Sequence, residues 1–448
     1  MSSPERAIKN YGKTEEKIMK RGILAIFIII ALTLLAAVAY AAFGSPGDFS
    51  EAVAALRFSE REQTAQAGSG GQEEQEPGTT GALEGTGAGN AENTAGDGGV
   101  PVQRTTGDNE APGDSETAGE PELRFMALGD IMLGRGVGAR LQKAGGYEKA
   151  FEKIAPVLKQ GGIVFANLES PFTASTHGLD SKKKIVLKAK PEAVGALTIS
   201  GINMVSLSNN HIMDYYEKGL FDTMSLLEEK NILFAGAGKN LEEARKPAIF
   251  EKDGIRVGVL AYTDMAELVF AGSPYLSFAA GPEKSGVVPR KYELIREDIL
   301  KAREQVDLLA VSLHWGIEDS FKITPEQVEF ARKLIDDGAD VILGHHPHQF
   351  QGMEVYKGKP IFYSLGNFLF DQNDPENMES FIVDMKFKGR VLTELSAIPV
   401  RILNKTYVEI QTGEKAANIL KRQLELCRSL GAEPAAENDI LVFDCGQE

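Results

Sequence analysis

From residue 123 onward, short apolar runs alternate with stretches of helical period, and this alternation constrains the fold of the 448-residue chain more than any other feature. The apolar runs fall at 125–128, 163–166, 204–207, 232–235, 257–261, 308–313, 341–343 and 361–365, while helical period marks 147–159, 220–230, 292–304 and 326–337. Strands alternating with helices predict an α/β fold with largely parallel pairing. Near 248–261 and 350–387 the runs follow one another without a helix between them, which adds antiparallel hairpins. A helix at 415–430 and a short strand at 440–443 complete the reading, and no period of 20–50 residues repeats.

The first 122 residues are of another kind. Residues 22–43 (GILAIFIIIALTLLAAVAYAAF) carry no charge and follow a basic flank. About 20 apolar residues suffice to cross the hydrocarbon core of a bilayer. The stretch predicts a transmembrane anchor, with 1–21 as a cytoplasmic tail and everything after Phe43 outside the cell. A cleaved signal peptide is the competing reading, since Ala37-Val38-Ala39 offers small residues for cleavage, but the run is longer than the ~7–15 residues of such segments. Residues 44–122 hold sixteen acidic residues against three basic ones and almost no large apolar side chain after Gln63, so they predict a disordered acidic Gly/Glu-rich linker. The formal net charge of -16 therefore resides mainly in that linker, and it excludes a general nucleic-acid binder, which needs Lys and Arg in excess. The folded part divides into a domain at 123–402 and a C-terminal helical extension at 403–448.

The chemistry is carried by polar residues at strand ends, where open α/β sheets bind ligands. One strand runs into Gly129-Asp130, where glycine suits a sharp turn. Another runs into Asn167-Leu168-Glu169, whose polar side chains point the same way at period two. A third leads into Ser208-Asn209-Asn210-His211, a fourth ends in His314 beside the only tryptophan, and a fifth ends in Gly344-His345-His346-Pro347-His348. Five of the six histidines thus stand at strand ends, and only His177 lies elsewhere, in a polar loop. Together with Asp130, Glu169 and Asn210 they form an N/O ligand set for a divalent metal, with no cysteine required. The lysine run at 182–190 reads as a solvated hairpin face, or as an attractor of polyanions. Cys427 and Cys445 are either a disulfide or two free thiols.

In order, Gly-Asp, Asn-x-Glu, Asn-His, His and His-x-His resemble the calcineurin-like metallophosphoesterase plan, and more closely its CapA/PgsA branch of capsule and poly-γ-glutamate biosynthesis proteins. The matching segments are GDIMLGRGV (129–137), FANLESPFT (165–173), SLSNNHIMDY (206–215), LHWGIED (313–319) and GADVILGHHPHQFQGMEVYKGKPIFYSLGNFLFD (338–371). The resemblance implies two mixed β-sheets sandwiched between helices and a site for one or two divalent ions (Mn2+, Zn2+ or Mg2+). It implies Asp130 and His348 at a first metal, Glu169 as the bridging carboxylate, and Asn210, His314 and His346 at a second. His211 would be the proton donor, with Asp214 catalytic beside it, and Arg135, Asn167, Asn209, His345 and Asn367 would bind substrate. The partners it implies are an anionic polymer, poly-γ-glutamate, or the membrane subunits of its synthase. Two positions depart from the plan: Met132 stands where the first motif carries a histidine, and Asn167 with Glu169 replaces the Gly-Asp of the second. Three functions follow as alternatives: a membrane-anchored component of polymer synthesis, export or attachment with a metal hydrolase site; an extracytoplasmic phosphoesterase; and a non-catalytic, metal-stabilised scaffold of the polymer synthase complex.

Overall fold

A computed structural model of the chain describes residues 102–104, 121–180, 182–268 and 276–445. The tail expected at 1–21, the anchor expected at 22–43 and most of the acidic linker lie outside the described residues. Among the described residues no helix is long and apolar enough to cross a membrane.

Two sheets organise the domain. The first has the order Val102–Arg104, Ala248–Lys252, Ile255–Thr263, Leu308–His314, Val341–His345, Lys359–Phe362, Met353–Tyr356. The second runs Ala435–Glu437, Ile440–Phe443, Val391–Leu403, Glu379–Lys388, Glu122–Ile131, Ile163–Leu168, Met204–Ser206, Leu233–Ala235. The strands that carry the site pair in parallel in both sheets, and antiparallel hairpins flank them, as the sequence pattern predicts.

Period two divides each strand between two cores. Phe125, Ala127, Ile163 and Phe165 of the second sheet share a buried cluster with Val257, Val259, Leu308, Ala310, Val341 and Leu343 of the first, so the sheets pack face to face. The alternate residues face outward. Met126, Leu128, Val164 and Ala166 pack under Arg135–Ala144, Val194–Ser200 and Tyr216–Glu229. Leu260, Leu309, Val311 and Ile342 pack under Tyr292–Arg303 and Pro325–Asp336. The result is the expected α/β/β/α order, with side chains of opposite parity on each strand serving different layers.

Local chemistry sets the helix limits. Pro325–Asp336 begins with Thr324, whose hydroxyl accepts from the Gln327 N–H at 3.2 Å while the Gln327 side chain accepts from the Thr324 N–H at 3.0 Å, a reciprocal cap with proline at the first helical position. The single helix expected at 147–159 is instead a 3-10 turn, Tyr147–Ala150, and a short helix, Ala155–Leu158. Pro156 lacks an N–H and sterically blocks a helix continuing from the preceding turn, so it serves to start the second piece.

Three further expectations change. Within the stretch read as a disordered linker, Val102–Arg104 forms a strand parallel to Ala248–Lys252. The C-terminal segment is more than an appended helix: Ala416, Ile419, Leu420 and Cys427 of Gly413–Arg428 enter the core between the sheets, and Ile440–Phe443 pairs with Val391–Leu403. The 182–190 segment forms no hairpin; Lys183 is buried while Lys182, Lys184 and Lys190 are exposed. Both cysteines are free and buried.

Phe165 is fully buried between the sheets, its ring 5.9 Å from that of His345. Phe165→Ala should cost about 3–5 kcal/mol of stability, read as a lower guanidinium midpoint with little change in slope. A loss below about 1 kcal/mol would show that the face-to-face packing does not depend on this contact.

Candidate metal centre

Strand register brings the polar residues together. Asp130 pairs with Asn167 on one side and Asn367 on the other, and Asn167 pairs with Ser206 in the next strand. In the other sheet His314 lies level with Thr263 and His345. The carboxyl ends of both sheets thus point to one edge, where His345 Nδ1 donates to Asp130 Oδ1 at 3.0 Å across the two sheets.

The strand carrying Asp130 does not turn at Gly129, as the Gly-Asp pair had suggested; it continues to Ile131. Gly129 is there for close approach: a Cβ would stand 2.0 Å from the Gly366 carbonyl oxygen, which accepts from the Asp130 N–H at 2.8 Å. Gly344 has the same role before the histidines, with the Tyr363 carbonyl 1.9 Å from where its Cβ would be. His346 and His348 themselves hold left-handed backbone, φ 97° and 59°, which costs a non-glycine residue conformational energy and turns both rings to the same edge.

Asp130, Glu169 and His348 are buried, with one ligand atom from each lying within 4.8 Å of the others. The decisive atom is Glu169 Oε1. It is buried, has no hydrogen-bond partner, and lies 3.8 Å from His348 Nε2 and 3.9 Å from His314 Nε2. Beyond His314, Asn210 Oδ1 stands 3.0 Å from the same Nε2, and the His346 ring is 5.0 Å away with an unpartnered, buried Nδ1. A buried carboxylate oxygen without a donor is costly. Here it faces imidazole nitrogens on two sides, where a cation would satisfy it. The residues present therefore fit a divalent metal that Asp130, Glu169 and His348 would hold, with Asn210, His314 and His346 gathered beside them.

The electrostatics agree. Burial opposes charge on Asp130, but hydrogen bonds from His345 and His348 outweigh it and hold the carboxyl well below the usual range. Burial pushes Glu169 well above that range, with the Asp130 charge adding to it. His348 is pushed up to about 9, because Glu169 and Asp130 outweigh its burial. Burial lowers His314 well below its ordinary value and His346 to about 3, so both are neutral imidazoles able to ligate. Without metal, a proton on His348 offsets the charge of Asp130, 3.3 Å away.

The remaining expected residues surround this centre. Asn167 Nδ2 donates to Asp130 Oδ1 at 2.9 Å and to Glu169 Oε2 at 3.3 Å, and Asn209 Nδ2 donates to Asn167 Oδ1 at 3.1 Å. Asn367 Oδ1 accepts from His348 Nδ1 at 2.9 Å, which turns Nε2 toward Glu169. These amides are buried and engaged within the protein, and so is His345 at Nδ1, while its buried Nε2 has no partner. Arg135 sits farther out, paired with Asp371 and over Phe370, whose ring packs 4.8 Å from His348. Met132 is buried, and its sulfur accepts from the Gly134 N–H at 3.0 Å. His211 Nδ1 lies 2.6 Å from Asp214 Oδ2, and His177 stacks on Tyr216 away from the centre.

Sequence reasoning missed Lys183, which is buried against Asp214 and His211. It also missed the amides behind Asn367: Gln372 and Asn377, which lead outward to Asp319. The inward parity of Lys183, Leu187 and Ala189 is a weak trace of the first, and nothing in the local sequence marks the second.

Because Glu169 and His348 both hold protons more tightly than usual, metal must displace them. Calorimetry of Mn2+ binding near pH 7.5, in buffers of different ionisation enthalpy, should show about one to two protons released per site. Affinity should rise with pH toward about 9, the value to which His348 is pushed. Glu169→Gln should weaken binding and reduce the release; binding independent of pH would overturn this account.

Comparison with known proteins places these residues in a family. The family described as "Bacterial capsule synthesis protein PGA_cap" matches residues 124–372. PGA biosynthesis protein CapA of Bacillus subtilis is 31% identical over 73% of this chain and 84% of its own length. Capsule biosynthesis protein CapA of Bacillus anthracis is 32% identical over 71% of this chain and 77% of its own. Among solved structures, the calcineurin-like phosphoesterase YfkN from Bacillus subtilis aligns at 14% identity and a TM-score of 0.35, over 68% of this chain and 98% of that one. The family match covers more than half the chain, from the strand that carries Asp130 to the segment that carries Asn367, and this chain belongs to the PGA_cap family of bacterial capsule synthesis proteins.

Proposed function

We propose that the chain is a component of the machinery that makes, exports or attaches poly-γ-glutamate or a related capsule polymer, held at the outer face of the cell membrane by residues 22–43, with a divalent-metal hydrolase site in its domain. Membership of the PGA_cap family and the relatives named for PGA and capsule biosynthesis support the polymer. The uncharged run after a basic flank supports the placement. The observation that carries the site is the unpartnered, buried Glu169 Oε1 between His348 and His314.

Held there, divalent ions supply Lewis acidity and neutralise charge that builds on an attacked carbonyl or phosphoryl centre. The chain's own residues do the rest. Asp130 and Glu169 give the site its negative charge, and Asn167 and Asn209 fix their orientation. His211 is pushed down to about 4 by burial and by the neighbouring Lys183 ammonium, against the pull of Asp214. It is neutral at rest, so a proton given to a leaving group must first be taken up at the ring.

In a strain lacking the gene, the full chain should restore surface polymer. If the ring moves a proton in the rate-limiting step, His211→Ala should cut turnover by about 100-fold or more. Polymer unchanged in amount and length in the deleted strain would remove the reading. A scaffold without turnover is favoured by one observation, the engagement of the Met132 sulfur with the Gly134 N–H where the related pattern has a histidine ligand. In that case His211→Ala leaves the polymer intact, while metal removal lowers the melting temperature. Cleavage of a simple phosphodiester by the full chain with Mn2+ would instead make it a phosphoesterase.

A further inference from the structure

Lys183 belongs to a lysine run that reads as surface, yet its side chain is only 6% exposed and that of its partner Asp214 is fully buried. The ammonium nitrogen lies 2.6 Å from Asp214 Oδ1, 2.5 Å from the Asn210 carbonyl oxygen and 3.0 Å from His211 Nδ1. Two of its three N–H donors go to the Asp214 carboxylate and the Asn210 carbonyl, while His211 Nδ1 turns its own proton to Asp214 Oδ2 and packs against the ammonium rather than accepting from it. Asp214 is committed in the same way: Oδ1 takes Lys183, while Oδ2 faces His211 Nδ1 at 2.6 Å and accepts from the Leu187 N–H at 2.7 Å. The Leu179 N–H adds a bond to the Asp214 carbonyl at 3.0 Å. The loop on either side of Lys183 is thus tied to the Asn209–Asp214 turn at the residues that flank Asn210 and His211.

A fully buried Asp214 carboxylate needs a charged or hydrogen-bonding partner inside the protein. The counter-charge comes from another loop, and its placement orients two groups at once. Asn210 is held through its carbonyl, with its side-chain oxygen left to meet His314 Nε2 at 3.0 Å. The His211 ring is held at Nδ1, so its other nitrogen is turned away from Lys183 and Asp214.

We propose that Lys183 is a positioning residue: its ammonium group clamps the Asn210 carbonyl and one oxygen of Asp214, whose other oxygen holds the His211 ring, and so sets the second-ion side of the site. The assignment of that side rests on the metal-centre reading given above; the clamp itself does not. Arginine does not replace it, because its broader planar fork cannot bring a single nitrogen to both acceptors in a space this enclosed.

The test uses the full chain with 15N-labelled histidine, the His211 ring being assigned by its loss in His211→Gln. In metal-free wild type the ring should give one set of sharp 15N shifts. Lys183→Met and Lys183→Arg should shift or broaden them, and ethylammonium added to Lys183→Ala should restore them, whereas tetramethylammonium, which has no N–H, should not. Because Lys183→Met leaves Asp214 unpaired and endangers folding, the double variant Lys183→Met/Asp214→Asn is measured beside it and should also lose the wild-type shifts. With Mn2+, wild type should take two ions, and the Lys183 variants should bind the weaker one at least tenfold less well, with the other unchanged. Unaltered His211 shifts in the single and double variants would overturn the clamp. Wild type that takes no Mn2+ would overturn the metal reading and leave the ring measurement as the judge of Lys183.

Discussion

Two carboxylates, Asp130 and Glu169, lie fully buried at one edge of the domain, and the surrounding structure is arranged to make that tolerable. Burial alone would neutralise both. Asp130 stays charged because donors converge on it from both sheets: Asn167 from its neighbouring strand, and His345 Nδ1 with the His346 backbone N–H from the opposite sheet. Glu169 receives one such bond, from Asn167, and keeps its other oxygen bare. The asymmetry separates a ligand that is already charged and fixed from one that waits for a cation.

That arrangement needs two sheets. A single parallel sheet presents a row of strand ends; two sheets face to face present two rows, and the gap between them is where ligands from both converge. The cost appears in the backbone. Glycines at 129 and 344 admit carbonyls at distances no side chain would allow, and His346 and His348 accept left-handed conformations. These strained positions stand next to the ligands themselves, which is where strain is expected if function requires it.

The parts legible in the sequence are those governed by period. Parity along Phe125–Leu128, Ile163–Ala166 and Leu308–Leu313 marks strands, and the polar residues that end the runs mark the edge, so Asp130, Glu169, Asn210 and the five strand-end histidines could be named; the two-sheet layering and the choice of His346 over His345 came with the family resemblance. What escaped depends on contacts distant in sequence or on chemistry within a run. Pro156 splits a helix that the apolar period alone would continue. Val102–Arg104 finds a partner some 145 residues away, and no local pattern in an acidic segment announces it. Lys183 reads as one charge among many, because burial of a lysine is decided by its partner Asp214, which enters from another loop.

Met132 shows how a departure from a familiar ligand pattern can be absorbed. A thioether is a poor ligand for a hard cation, and this one points to the Gly134 N–H rather than into the centre. No imidazole stands at that place on the first strand. The opposite sheet brings His345 to the same carboxylate, its Nδ1 donating to Asp130. Asp130 thus keeps its charge without the first-motif imidazole, while Asn210, His314 and His346 gather on the other side. The two sides of the centre therefore differ in charge: the carboxylates Asp130 and Glu169 with His348 on one, and the neutral imidazoles of His314 and His346 with the Asn210 amide oxygen on the other.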